Sequence, residues 1–169
     1  MTTPSEITLA EYKQIKTEQS ARIGTRDNLI YAMILATAGT LTISHSAHSA
    51  AYLLLVPAVG FVLGWTYVAN DQMITAIGRY FRNHPALPGL GWETDCRHSV
   101  VRRNQRKAIQ LAVDLTTFCA PGLVALVAFW TAPGASPLLL AASAVEAIAV
   151  GVLAWQVVAY SPLTMHGRA

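Results

Sequence analysis

The sequence predicts an all-α protein, a polytopic membrane bundle of four transmembrane helices preceded by a cytosolic N-terminal helix. Three observations predict it. Of the 169 residues, 53% are apolar and 12% charged, and the apolar ones come in long blocks rather than in amphipathic periods. Four blocks approach the roughly 20 residues that a helix needs to cross a hydrocarbon core about 30 Å thick. The charges are also lopsided. Seven of the twelve Lys and Arg residues fall within 70–107, Lys13, Lys16, Arg22 and Arg26 precede the first block, and Arg168 follows the last. By contrast, the short joins around Ser44–Ser49 and Thr131–Ser136 contain no Lys, Arg, Asp or Glu. Basic segments stay on the cytosolic side of a membrane. The chain therefore divides into a cytosolic helical arm (1–27), a first helix pair (28–69), a basic cytosolic connector (70–107), a second pair (108–160) and a cytosolic tail (161–169). The setting implied is the inner (plasma) membrane, crossed four times with both termini inside.

In the arm, Thr8 and Glu11 have capping-box spacing, and good helix formers follow through Gln19. Leu9, Tyr12, Ile15 and Gln19 form a thin stripe, Glu18 and Arg22 pair at i, i+4, and Gly24 is a bend point ahead of the first span. That span, Leu29–Ser44, is short and gains length by continuing the helix on its cytosolic side. The second span, Ala51–Ala69, contains Pro57, expected to kink it, and Gly60-Phe-Val-Leu-Gly64, a pattern that lets helix backbones approach closely. Trp65 and Tyr67 are expected at headgroup depth. Met73, Ile77 and Tyr80 or Phe81 then give an amphipathic continuation, ended by Asn83-His84-Pro85. Trp92 is an interfacial anchor, and Ser99 caps the helix that carries Arg102, Arg103, Arg106 and Lys107 up to the membrane. The third span, Ala108–Ala132, is interrupted at Ala120-Pro121-Gly122, and the fourth, Pro137–Tyr160, is stopped by Ser161-Pro162. The order of basic helix, span, uncharged turn and span occurs twice, as in a parallel two-plus-two duplication.

Ionisable groups inside a bilayer cost several kcal/mol and mark function by default. Asp114 and Glu146 are the two carboxylates within the apolar blocks. Asp114 has Gln110 one turn below it and Lys107 two turns below, which suits a structural link. Glu146 borders a small-residue row, Ser143, Ala147 and Gly151, and is expected to point into the bundle or an oligomer interface, as a protonated hydrogen-bond donor or as a pore-lining carboxylate.

Other chemistry is not indicated. The sequence has no phosphate loop, nucleophile elbow or clustered metal-ligand set, and His45 and His48 make up only half a metal site. Cys96 and Cys119 lie in different environments and suggest no disulfide. The first 28 residues are polar, which argues against a cleavable signal peptide. No enzymatic activity, cofactor or metal is expected. The basic cluster at 102–107 matches the flank of a span, so no nucleic-acid partner is expected either.

Several stretches carry a family likeness: Glu11-Tyr-Lys13 through Arg22-Ile-Gly-Thr-Arg-Asp-Asn-Leu-Ile-Tyr31, Pro57 through Gly64-Trp-Thr-Tyr67 to Ile77-Gly-Arg-Tyr80, Gly91-Trp-Glu93, and Lys107 through Asp114 to Pro121. On these the chain resembles a family of small, uncharacterised four-span integral membrane proteins of actinobacteria, a likeness that implies the fold and brings no activity. In layout it is also similar to the membrane effector modules of bacterial nucleotide-signalled defence systems. The function expected is that of a non-enzymatic, oligomeric, pore-forming or signalling membrane component. Its partners would be the lipid bilayer, further copies of itself and a cytosolic protein. A proton-coupled small transporter or ion exchanger, and a membrane scaffold, are the alternatives.

Overall fold

The computed structural model describes residues 4–83 and 100–160, all in helices and short turns with no strand among them. Helix α1 covers Pro4–Ser46, a 3₁₀ turn covers Ala50–Leu54, and α2 covers Leu55–Asn83. Helices α3 (Val100–Phe118) and α4 (Ala120–Thr131) follow, and α5 spans Pro137–Ala159. Four helical segments are long and apolar enough to cross a membrane: Leu9–Ser46, Ala50–Tyr80, Ala108–Thr131 and Pro137–Ala159. Trp92, Cys96, Ser99 and the 161–169 tail lie outside the described residues.

The first hairpin departs from expectation in three ways. Helix α1 runs for 43 residues without interruption, so the chain does not break at Gly24 and Thr8 lies inside a helix that has already begun. One glycine costs a helix only about 1 kcal/mol, and here it is flanked by cross-links to α2. Arg22 donates to Asn70 Oδ1 (3.4 Å) and Arg26 to Asp71 Oδ1 (3.3 Å). Further out, the Tyr80 hydroxyl donates to Glu11 Oε1 at 3.2 Å. The Glu18–Arg22 pair forms at 2.7 Å. Secondly, Pro57 kinks nothing. It is the third residue of α2, entered through the 3₁₀ turn, and a first-turn N–H has no intrahelical acceptor to lose. Thirdly, Met73 faces outward at 46% exposure while Ile74 is half-buried, so the inner face of the extension passes through Ile74 and Ile77.

Helix α2 is the centre of the bundle and touches every other helix. Its glycines explain how. A Cβ on Gly60 would lie 2.9 Å from the Phe118 carbonyl oxygen, and one on Gly64 would lie 2.7 Å from Leu153 Cδ2 and 3.1 Å from Phe118 Cβ. A Cβ on Gly60 would meet a backbone oxygen that cannot give way, and at Gly64 a side chain would have to displace Leu153 and press on Phe118, so α3 and α5 approach α2 where its side chains are missing. Around them the interior is filled by Met33, Tyr67, Phe118, Leu126, Phe129, Val150 and Leu153. The outside is equally apolar, with Leu35, Val124, Ile148 and Trp155 all about 70% exposed. Apolar surface on both sides of the same helices suits a hydrocarbon solvent.

The third span is interrupted at Cys119, one residue before the expected Ala120-Pro121-Gly122, and the interruption is slight. Cys119 keeps helical dihedrals (φ −100°, ψ −42°), and the bonds Cys119 N–H to Leu115 O and Leu123 N–H to Cys119 O hold at 3.0 Å each. Pro121 has no N–H to give the Thr117 carbonyl. The next turn uses Gly134 in the left-handed region (φ +84°), and the Ser136 hydroxyl caps α5 by accepting from Leu139 N–H at 3.4 Å.

Candidate functional site

Two polar features interrupt the apolar interior. The first is a clasp at the end of the bundle where α1 carries its arginines. Tyr67 lies one turn beyond Gly64 on the inward face of α2, and at 1% exposure it is sealed in the core, its ring 4.9 Å from that of Phe118. The Gln110 amide donates to the Tyr67 hydroxyl oxygen at 2.6 Å and to Asp114 Oδ1 at 2.9 Å. Asp114 thus has a donor in its own helix, and holds the Gln110 side chain that ties α3 to α2. One turn along α2 from Tyr67, Asp71 accepts from Arg26 of α1 at 3.3 Å. Tyr67 is not at headgroup depth facing outward. Trp65, two residues earlier, is on the outward face (43% exposed), and consecutive alternate residues of a helix point some 200° apart. The spacing 60, 64, 67, 71 and 74 is a 3.5-residue row, and following the Gly60–Gly64 pair along it identifies Tyr67 and Asp71 as inward positions.

The second feature is Glu146. Its Oε2 is buried and has no hydrogen-bond partner among the described residues. One turn to one side, the Trp130 indole N–H donates to Ser143 Oγ (2.9 Å), which itself donates to the Leu140 carbonyl (2.8 Å). One turn to the other, Val150 packs against Gly122. The inward row of α5 is Leu139, Ser143, Glu146, Val150, Leu153 and Val157, so Glu146 occupies a central position in it rather than a border. The row expected from Ser143, Ala147 and Gly151 is corrected accordingly. Ser143 is buried and Ala147 half-buried, but Gly151 is exposed with nothing within 4 Å of where its Cβ would be. Four-residue steps drift by about 40° each, so two of them carry the row off the interface.

Arg102, Arg103, Arg106 and Lys107 occupy the first two turns of α3, and their side chains lie outside the described residues. At the opposite end of the bundle, the His45 and His48 rings stack 6.3 Å apart, with His48 at φ +51°. Among the described residues, no three His, Cys, Asp or Glu side chains converge in a way that could hold a metal. Searches of protein-family models, curated proteins and solved structures find no match to the chain.

Proposed function

We propose that the protein is a small non-enzymatic component of the bacterial plasma membrane, pore-forming or signalling, that acts as an oligomer with its arm, connector and tail in the cytosol. The resemblance to small actinobacterial four-span membrane proteins belongs to the same proposal. The observation that carries it is Glu146, a carboxylate deep in an apolar helix with one oxygen enclosed and unpartnered. Hydrocarbon penalises such a group by several kcal/mol, and intramembrane carboxylates at that cost usually serve ions, protons or a neighbouring subunit. The interior around Tyr67, Phe118, Leu126 and Leu153 is filled, so conduction past the inward-facing Glu146 would require the helices to part, which assembly with further copies could drive. Orientation rests on the placement of the basic residues.

The test is purified protein in liposomes loaded with an ion-reporting dye. Wild type should release the ion, and Glu146→Gln should change the rate several-fold. A requirement for a pH gradient would move the reading to a proton-coupled exchanger that uses the same carboxylate. No release by wild type, or the same release by the variant, would refute both and leave a scaffold.

A further inference from the structure

We propose that the cytosolic half of α3 is a hinged arm that pivots at Cys119–Pro121 and is held against the bundle by the Tyr67–Gln110–Asp114 clasp. Four observations converge on it. The hinge chemistry is present, because Pro121 cannot donate to the Thr117 carbonyl and the turn at Cys119 separates α3 from α4. The hinge also has room. A groove of about 310 Å³ runs along its α1 side, lined by Met33, Ile34, Thr37, Thr116, Thr117 and Pro121 among others. Packing changes abruptly at the same place: no residue from 108 to 117 is buried, whereas Phe118 and Cys119 are 1% and 4% exposed. Lastly, among the described residues the side-chain hydrogen bonding that joins α3 to another helix is concentrated in the clasp, at Gln110 and Tyr67.

These features have a mechanical consequence. Above the hinge α4 is anchored by Gly122, Ala125, Leu126 and Phe129, all buried. Below it, α3 turns Ile109, Val113 and Thr116 outward and lies on the core through the half-buried Leu111 and Leu115, beside the polar fastening at Gln110. A hinge of this kind concentrates a change of angle in a few residues while the segments on either side stay rigid. Arg102, Arg103, Arg106 and Lys107 sit on the first turns of this arm. Whatever engages that basic segment therefore acts on the clasp and, through the hinge, on the core at Phe118, which packs against Gly60 and Gly64. The inference does not depend on the pore reading.

The experiment is pulsed dipolar spectroscopy on spin-labelled full-length protein in lipid nanodiscs, with Cys96 and Cys119 replaced by Ala. One label pair, at Thr25 and Ile109, reports the arm, and a control pair at Val124 and Ile148 reports the bundle. A pivot of about 20° acting over roughly 15 Å of helix moves the arm label by roughly 5 Å. Gln110→Leu should broaden or shift the Thr25–Ile109 distance by that amount and leave the control pair unchanged. Tyr67→Phe should do the same to a smaller degree. Adding Pro121→Ala to Gln110→Leu should restore the narrow distribution by returning a donor to Thr117. An unchanged Thr25–Ile109 distance in Gln110→Leu would overturn the hinge, as would equal broadening of both pairs or no rescue by Pro121→Ala.

Discussion

Asp114 and Glu146 present the same functional group to the same kind of apolar helix, yet their surroundings differ sharply. Asp114 accepts from Gln110 at 2.9 Å, and Gln110 also holds Tyr67 at 2.6 Å. Glu146 faces inward among Ser143, Val150 and Leu153, and its Oε2 has no hydrogen-bond partner among the described residues. The fold provides for one carboxylate and not for the other. A carboxylate with such a donor contributes to the fold, whereas one without it is the group whose removal should not cost the fold stability.

That contrast can be broken by experiment. The largest effect is expected at the satisfied site. Asp114→Leu takes the carboxylate acceptor from the Gln110 amide and loosens the hold that places Gln110 on Tyr67, and should lower stability by about 1 to 2 kcal/mol, read from the unfolding midpoint in detergent. Glu146→Leu should act in the opposite direction, raising stability by up to about 1 kcal/mol because an uncompensated polar group is removed from an apolar row. If both variants lose stability equally, Glu146 has a partner within the chain and the contrast disappears. The smallest effect belongs to the rim of the clasp. Arg26 and Asp71 pair at 3.3 Å with both side chains partly open to solvent, so Arg26→Gln should cost only a few tenths of a kcal/mol. Added salt should shrink that difference, and a salt-independent loss would mean the pair is sealed off from solvent.

Much of the architecture was legible in the residues, and what was missed follows from the limits of pattern reading. The four apolar segments, the interruption beside Pro121 and the Glu18–Arg22 pair follow from block length, a missing N–H and helical spacing, all local properties of the chain. Gly24 and Pro57 were misread because their effects are set by context. The first lies between two arginines that cross-link α1 to α2, and the second falls in a first turn where it sacrifices no bond. Tyr67 was assigned to the interface on residue type alone, whereas its place on the row through Gly60 and Gly64 assigns it to the core. The same 3.5-residue register separates Glu146 from Gly151 on α5. Residue type says that a group is polar or small, but only the register says which neighbour it meets.

Helix α1 holds one further consequence. Its 43 uninterrupted residues make a stiff rod about 64 Å long, about twice the thickness of a bilayer core, so in the membrane setting proposed about half of it would overhang. A thinner or thicker membrane is met by tilting such a rod, and a 20° tilt carries an overhang of roughly 34 Å sideways by roughly 12 Å. Lipid thickness, a property of the whole sheet, would then be converted into the lateral position of Glu6 and Glu11 above the surface.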